Sequence, residues 1–78
     1  MEKRIKFIWK FYGVEAKGTA EHHVIHLKEY CENNKFNSCE SNIEDLEEGG
    51  TQAFLIIDEK DAITAHAFLK PDAAFVAS

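Results

Sequence analysis

Four histidines hold most of the chemistry open to this 78-residue chain. His22, His23 and His26 fall within five residues, and His66 stands in the second half. On a helix, His22 and His26 lie one turn apart, so both rings rise from one face. Two imidazoles at that spacing can share a metal ion, and Glu29 is near enough to that face to add an oxygen. No strong fourth ligand accompanies them, and surface or interface histidines are the competing reading. His23 is turned toward the aromatic opening segment. With His66 and Tyr30 it forms an acid/base or hydrogen-bonding set, because imidazole titrates near neutrality. The plainer alternative makes each a satisfied polar group at a helix–sheet boundary. Trp9, Phe11 and Leu27 would wall an apolar ligand site beside His23, although the alternation of Phe7, Trp9 and Phe11 accounts for the aromatics as core.

Other chemistries find no support. Cys31 and Cys39 make neither a disulfide framework nor a zinc ribbon and lack the CxxC spacing of redox sites, so reduced, packed thiols are expected. Gly49-Gly50 sits among carboxylates that would repel a phosphate. No serine elbow appears. No motif identifies a reaction, so enzyme status stays open and no cofactor is called for. The formal charge is -5, unevenly spread. Residues 1–36 carry seven basic and five acidic groups, and residues 37–78 carry two and nine. An acidic chain is a poor match for nucleic acid. No apolar run approaches the roughly 18 residues of a membrane span. The start, MEKRIKFIWKFYG, alternates instead of forming a secretory h-region, and a cytoplasmic location is expected.

The elements that must position these residues follow from periodicity. Residues 5–12, IKFIWKFY, alternate with strong β-formers: Ile5, Phe7, Trp9 and Phe11 on one face, Lys6, Ile8, Lys10 and Tyr12 on the other. Gly13 ends the strand, and residues 14–18 are ambiguous because Gly18 would cost about 1 kcal/mol inside a helix. Thr19 is the expected N-cap of a helix over 20–33, with Ala20, Val24, Leu27 and Cys31 as its buried stripe and Ala16 extending it backwards. Ile25 faces away, and Asn33 and Asn34 suit the C-cap. Residues 36–46 read as a polar edge strand, followed by an acidic loop and a Gly49-Gly50 turn. Residues 51–57, TQAFLII, are apolar on both faces and belong at the centre of a sheet. Residues 59–70 allow two readings. One is a helix after Asp58, with Asp61 at N3 and Ala62, Ala65, His66 and Leu69 buried. The other is a hairpin strand with Ile63, Ala65, Ala67 and Leu69 on one face. Pro71 stops the segment, and 73–77 give a last short strand.

With helix in that place the order is β-α-β-β-α-β. Its simplest layout is a single α+β domain over 1–78, the ferredoxin-like fold: a four-stranded antiparallel sheet with two helices on one face. The uncovered face would carry Ile8, Tyr12 and one apolar set from 51–57. Monomers seldom leave such a patch in water, so a homodimer packed sheet to sheet is expected.

The segments IKFIWKFYG, AEHHVIHLKEY and TQAFLIIDEKDAITAHAFL, with a GG-x-x-x-FLII-D third strand, resemble short members of the dimeric α+β barrel superfamily. The resemblance implies a homodimer and, in some relatives, a pocket between sheet and helices. Relatives include cofactor-free monooxygenases, small-acid isomerases or lyases, and stress-response proteins. Three functions therefore stand as expectations: a homodimer holding a small apolar or aromatic molecule, a cofactor-free enzyme, or a histidine-based metal-binding module.

Overall fold

The computed structural model describes residues 3–36, 39–47 and 49–77. Residues 37–38 of the expected edge strand and Glu48 of the acidic loop lie outside them. The elements are β1 (Arg4–Phe11), α1 (Ala16–Asn34), β2 (Cys39–Asp45), β3 (Thr51–Asp58), α2 (Glu59–Leu69) and β4 (Ala73–Val76). The strands pair antiparallel in the order β2-β3-β1-β4. This is the ferredoxin-like α+β arrangement. The two most apolar strands, β1 and β3, are central and each pairs on both edges.

One face of the sheet meets both helices. Phe7 and Trp9 of β1, and Ala53, Leu55 and Ile57 of β3, form one core with Ala20, Val24, Leu27 and Cys31 of α1 and Ala62 and Ala65 of α2. Phe7, Leu27, Leu55 and Ile57 are the largest fully buried side chains. Small residues on α2 let that helix lie close to the sheet. The β2–β3 hairpin is closed by the Leu46–Gly50 turn, with the Leu46 amide donating to the Gly50 carbonyl at 2.8 Å. A Cβ at Gly50 would lie 2.6 Å from the Phe11 carbonyl oxygen, so only glycine fits there.

Three expectations need correction. α1 starts at Ala16, before the expected Thr19 cap, and takes Gly18 into its interior. Burying Ala16 against the core outweighs the local cost of one glycine. Asp58 does stand at the N-cap of α2, but its side chain makes no capping hydrogen bond. Cys31 and Cys39 are joined as a disulfide, not reduced thiols. The physical reason is the reversal at the end of α1, where Lys35 takes the left-handed conformation (φ 53°) that caps the helix. The chain then returns along β2, and the two Cα atoms come within 6.5 Å. With the reduced-thiol reading goes the support it lent to a cytoplasmic placement. Among the described residues, no helix is long and apolar enough to cross a membrane.

Candidate functional site

α1 and the C-terminal half of α2 flank an open, shallow cleft of about 320 Å³ lined by His23, His26, Leu27, Tyr30, Phe68 and Leu69, with Glu29 and Asn33 on its polar side. Each helix contributes by its period. His23, Leu27 and Tyr30 recur at i, i+4 and i+7 on α1, which brings them to one flank. Tyr30 and Phe68 stack across the helices with ring centroids 5.1 Å apart and planes inclined by only 13°. Phe36 meets the other side of Tyr30 edge-on at 5.6 Å. Leu27 is fully buried and forms part of the apolar wall. The Trp9 indole N–H donates to the Leu69 carbonyl at 3.3 Å, tying the end of α2 to the sheet beneath the cleft.

His23 is the polar residue most enclosed by this arrangement. Its ring packs edge-on against Trp9 at 4.7 Å and Phe11 at 5.7 Å. Nε2 is buried without a hydrogen-bond partner. Burial holds the imidazole below its ordinary pKa of 6.5; His26 and His22 add in the same direction, and Asp72 opposes them. His23 is therefore neutral at pH 7. A neutral imidazole has one N–H and one lone pair, so it can both donate and accept. Because Nε2 is buried, a molecule in the cleft is left Nδ1 of His23 and the side chain of Tyr30 for hydrogen bonding.

The structure separates the expected site residues. His23, Tyr30 and Leu27 line one cleft. Trp9 and Phe11 support the His23 ring from below. His66, expected on the buried side of its helix, is exposed and packs its ring against Phe7 at 5.8 Å, away from the cleft lining. Any acid/base step in the cleft would rest on His23 and Tyr30. His22 stands outside the cleft and pairs with His26 at its rim, Nε2 to Nε2 at 2.9 Å, with Glu29 Oε1 3.5 Å from Nδ1 of His26. Among the described residues no three His, Cys, Asp or Glu side chains group as a metal cage.

Phe68 was not anticipated as a wall of the site. The signal for it was present: it lies three residues beyond the buried Ala65 and one before Leu69, on the shoulder of the α2 stripe. Compared with known family models, curated proteins and solved structures, the chain finds no match.

Proposed function

We propose that the chain is a homodimeric small-molecule-binding domain of the dimeric α+β barrel kind, and that its ligand is a small, flat, largely apolar molecule held between α1 and α2. The observation that carries this reading is the cleft itself, walled by stacked Tyr30 and Phe68 with Leu27 and Leu69 and edged by His23. Aromatic and aliphatic walls with a few polar groups are the usual composition of a small-molecule site. The ligand slots beside the Tyr30–Phe68 pair and takes its hydrogen bond from the imidazole or the phenol.

The homodimer is supported by the pattern on the outer face of the sheet. Lys6, Ile8 and Lys10 of β1 pair across with Ile56, Phe54 and Gln52 of β3, which pair in turn with Glu40, Asn42 and Glu44 of β2. Cations therefore run along one side of β3 and carboxylates along the other. Lys6 is level with Glu40, and Lys10 with Glu44. A two-fold axis parallel to the strands and over β3 lays β1 of one copy on β2 of the other, bringing those levels together. Phe54 and Ile56 then meet their own counterparts.

Titration of the intact chain with 2-naphthol, followed by calorimetry, tests the ligand site. Saturable binding at one molecule per chain, weakened about tenfold or more by Phe68→Ala, is expected. Phe68 is largely exposed, so its truncation leaves the core intact. Unsaturable uptake, or equal affinity in the variant, contradicts the site.

A further inference from the structure

The apolar walls of the cleft leave a pair of imidazoles over: His26 at its rim and His22 one turn back, outside the lining. His22 and His26 are both exposed, one helical turn apart. Their ring centroids are 4.5 Å apart with planes at 78°, and the two Nε2 atoms approach to 2.9 Å. Two neutral imidazoles at that distance hold one proton between them: one nitrogen donates and the other supplies its lone pair. The roles follow the tautomer, and Glu29 favours one of the two. Its Oε1 lies 3.5 Å from His26 Nδ1. A proton on Nδ1 faces the carboxylate, which leaves Nε2 of His26 as the lone-pair side. In that tautomer Nε2 of His22 carries the bridging proton.

The same 2.9 Å separation is the bite of a chelate. Metal–imidazole bonds of about 2.0–2.1 Å at a right angle place the two nitrogens about 2.9 Å apart, whereas a tetrahedral angle spreads them to about 3.3 Å. Adjacent positions at right angles belong to square-planar and octahedral ions, and imidazole suits late first-row metals, with Cu(II) at the top of the affinity order. No other chain donor is required, because water fills the remaining positions.

We propose that His22 and His26 form a two-nitrogen site for a late first-row divalent cation, Cu(II) before Ni(II) and Zn(II), with Glu29 as the positioning residue behind His26. On binding, two Nε2–metal bonds form and two waters leave the ion. The Nε2–H bond of His22 breaks, and its proton passes through water to Nδ1 of the same ring. The charge on the ring is unchanged, and no electron moves. A site with two protein ligands keeps open positions, so the ion exchanges readily; a structural zinc site would close all four. The chelate also clamps one turn of α1, so the ion raises the stability of the folded chain by binding it in preference to the unfolded one. This site does not rest on the cleft reading. His22 stands outside the cleft lining, so 2-naphthol binding should survive His22→Ala while the metal is lost.

Calorimetric titration of the full chain with CuCl2 in a non-coordinating buffer tests it. One ion per chain at micromolar affinity is expected. His22→Ala and His26→Ala should each weaken it at least about tenfold, and Glu29→Gln by a smaller factor, since a carboxylate behind a ligand tunes affinity without touching the ion. His66→Ala should bind as the unaltered chain does. Circular dichroism checks that each variant folds, and the Cu(II)-induced rise in melting temperature should vanish with either imidazole of the pair. Unchanged affinity in both alanine variants, or an equal loss in His66→Ala, would place the ion elsewhere and overturn the proposal.

Discussion

The two faces of the sheet use the same strands to different ends. Phe7, Trp9, Leu55 and Ile57 point inward and are sealed by α1 and α2. Their neighbours Lys6, Ile8, Phe54 and Ile56 point outward, where no helix lies. There Lys6 Nζ stands 4.7 Å over the Phe54 ring and 3.1 Å from Glu44 Oε1, and Arg4 lies 3.9 Å from Glu40. Phe75, level with Lys6 on β4, is more than half exposed at 55%. The inner face is held mainly by burial within one chain, so its energetics belong to the single chain. The outer face keeps aromatic area half covered by its own cations, the surface that the proposed second copy would cover.

Mutation should separate the faces by size of effect. Leu55→Ala opens a cavity in the sealed core and should lower the unfolding free energy by about 2–5 kcal/mol, read from urea denaturation. Next comes the covalent tie from the inner stripe of α1 to the edge strand β2. Cys39→Ser, or reduction of the unaltered chain, should cost about 2–3 kcal/mol for a loop this short, seen as a lower denaturation midpoint with dithiothreitol than without. On the outer face, Lys6→Ala removes a partly exposed ion pair and a cation–π contact and should change single-chain stability by only about 0–1 kcal/mol. A core-sized loss from Lys6→Ala would erase the contrast between the faces.

The smallest effect concerns pH. The folded pKa of His23 lies below 6.5, so the unfolded chain binds the extra proton as pH falls. The charged and titratable groups acting on it are His26, Asp72 and His22. Stability should be flat with respect to this group above about 6.5 and should decline from there toward the lowered folded value. In chelator-containing buffer, the urea midpoint of His23→Gln should fall less between pH 7.5 and 5.5 than that of the unaltered chain. An equal fall would mean that the buried ring is not the source.

The inner face was readable from residues because strand alternation is a strong periodic signal. In 5–12 and 51–57 it named both central strands and the inward set of the first; both faces of 51–57 are apolar, so only the structure turns Ala53, Leu55 and Ile57 inward. Helix was the favoured reading of residues 59–70 because of their alanines, and Ala62 and Ala65 do lie in the core. Local signals failed where a distant contact decides. The start of α1 depends on where Ala16 packs, which overrides Gly18 and Thr19. The Cys31–Cys39 bond depends on the left-handed turn at Lys35, and neither cysteine announces it by spacing. His66 fell on the right helix but on its exposed side, because Ala62 and Ala65 are small enough to bring α2 down without it. For the site, His23, Tyr30 and Leu27 were legible from helical spacing. Phe68 had a signal in its place beside the α2 stripe, but its stacking on Tyr30 depends on how the two helices are placed.

Sedimentation equilibrium on the chain and its Phe54→Glu variant at micromolar concentration tests most directly the claim that the outer face is covered by a second copy. The account predicts twice the 8.9 kDa chain mass for the unaltered protein, and a single folded chain for the variant, whose carboxylate would be buried against its own twin. An unaltered protein sedimenting at 8.9 kDa, or a variant that stays paired, would contradict it.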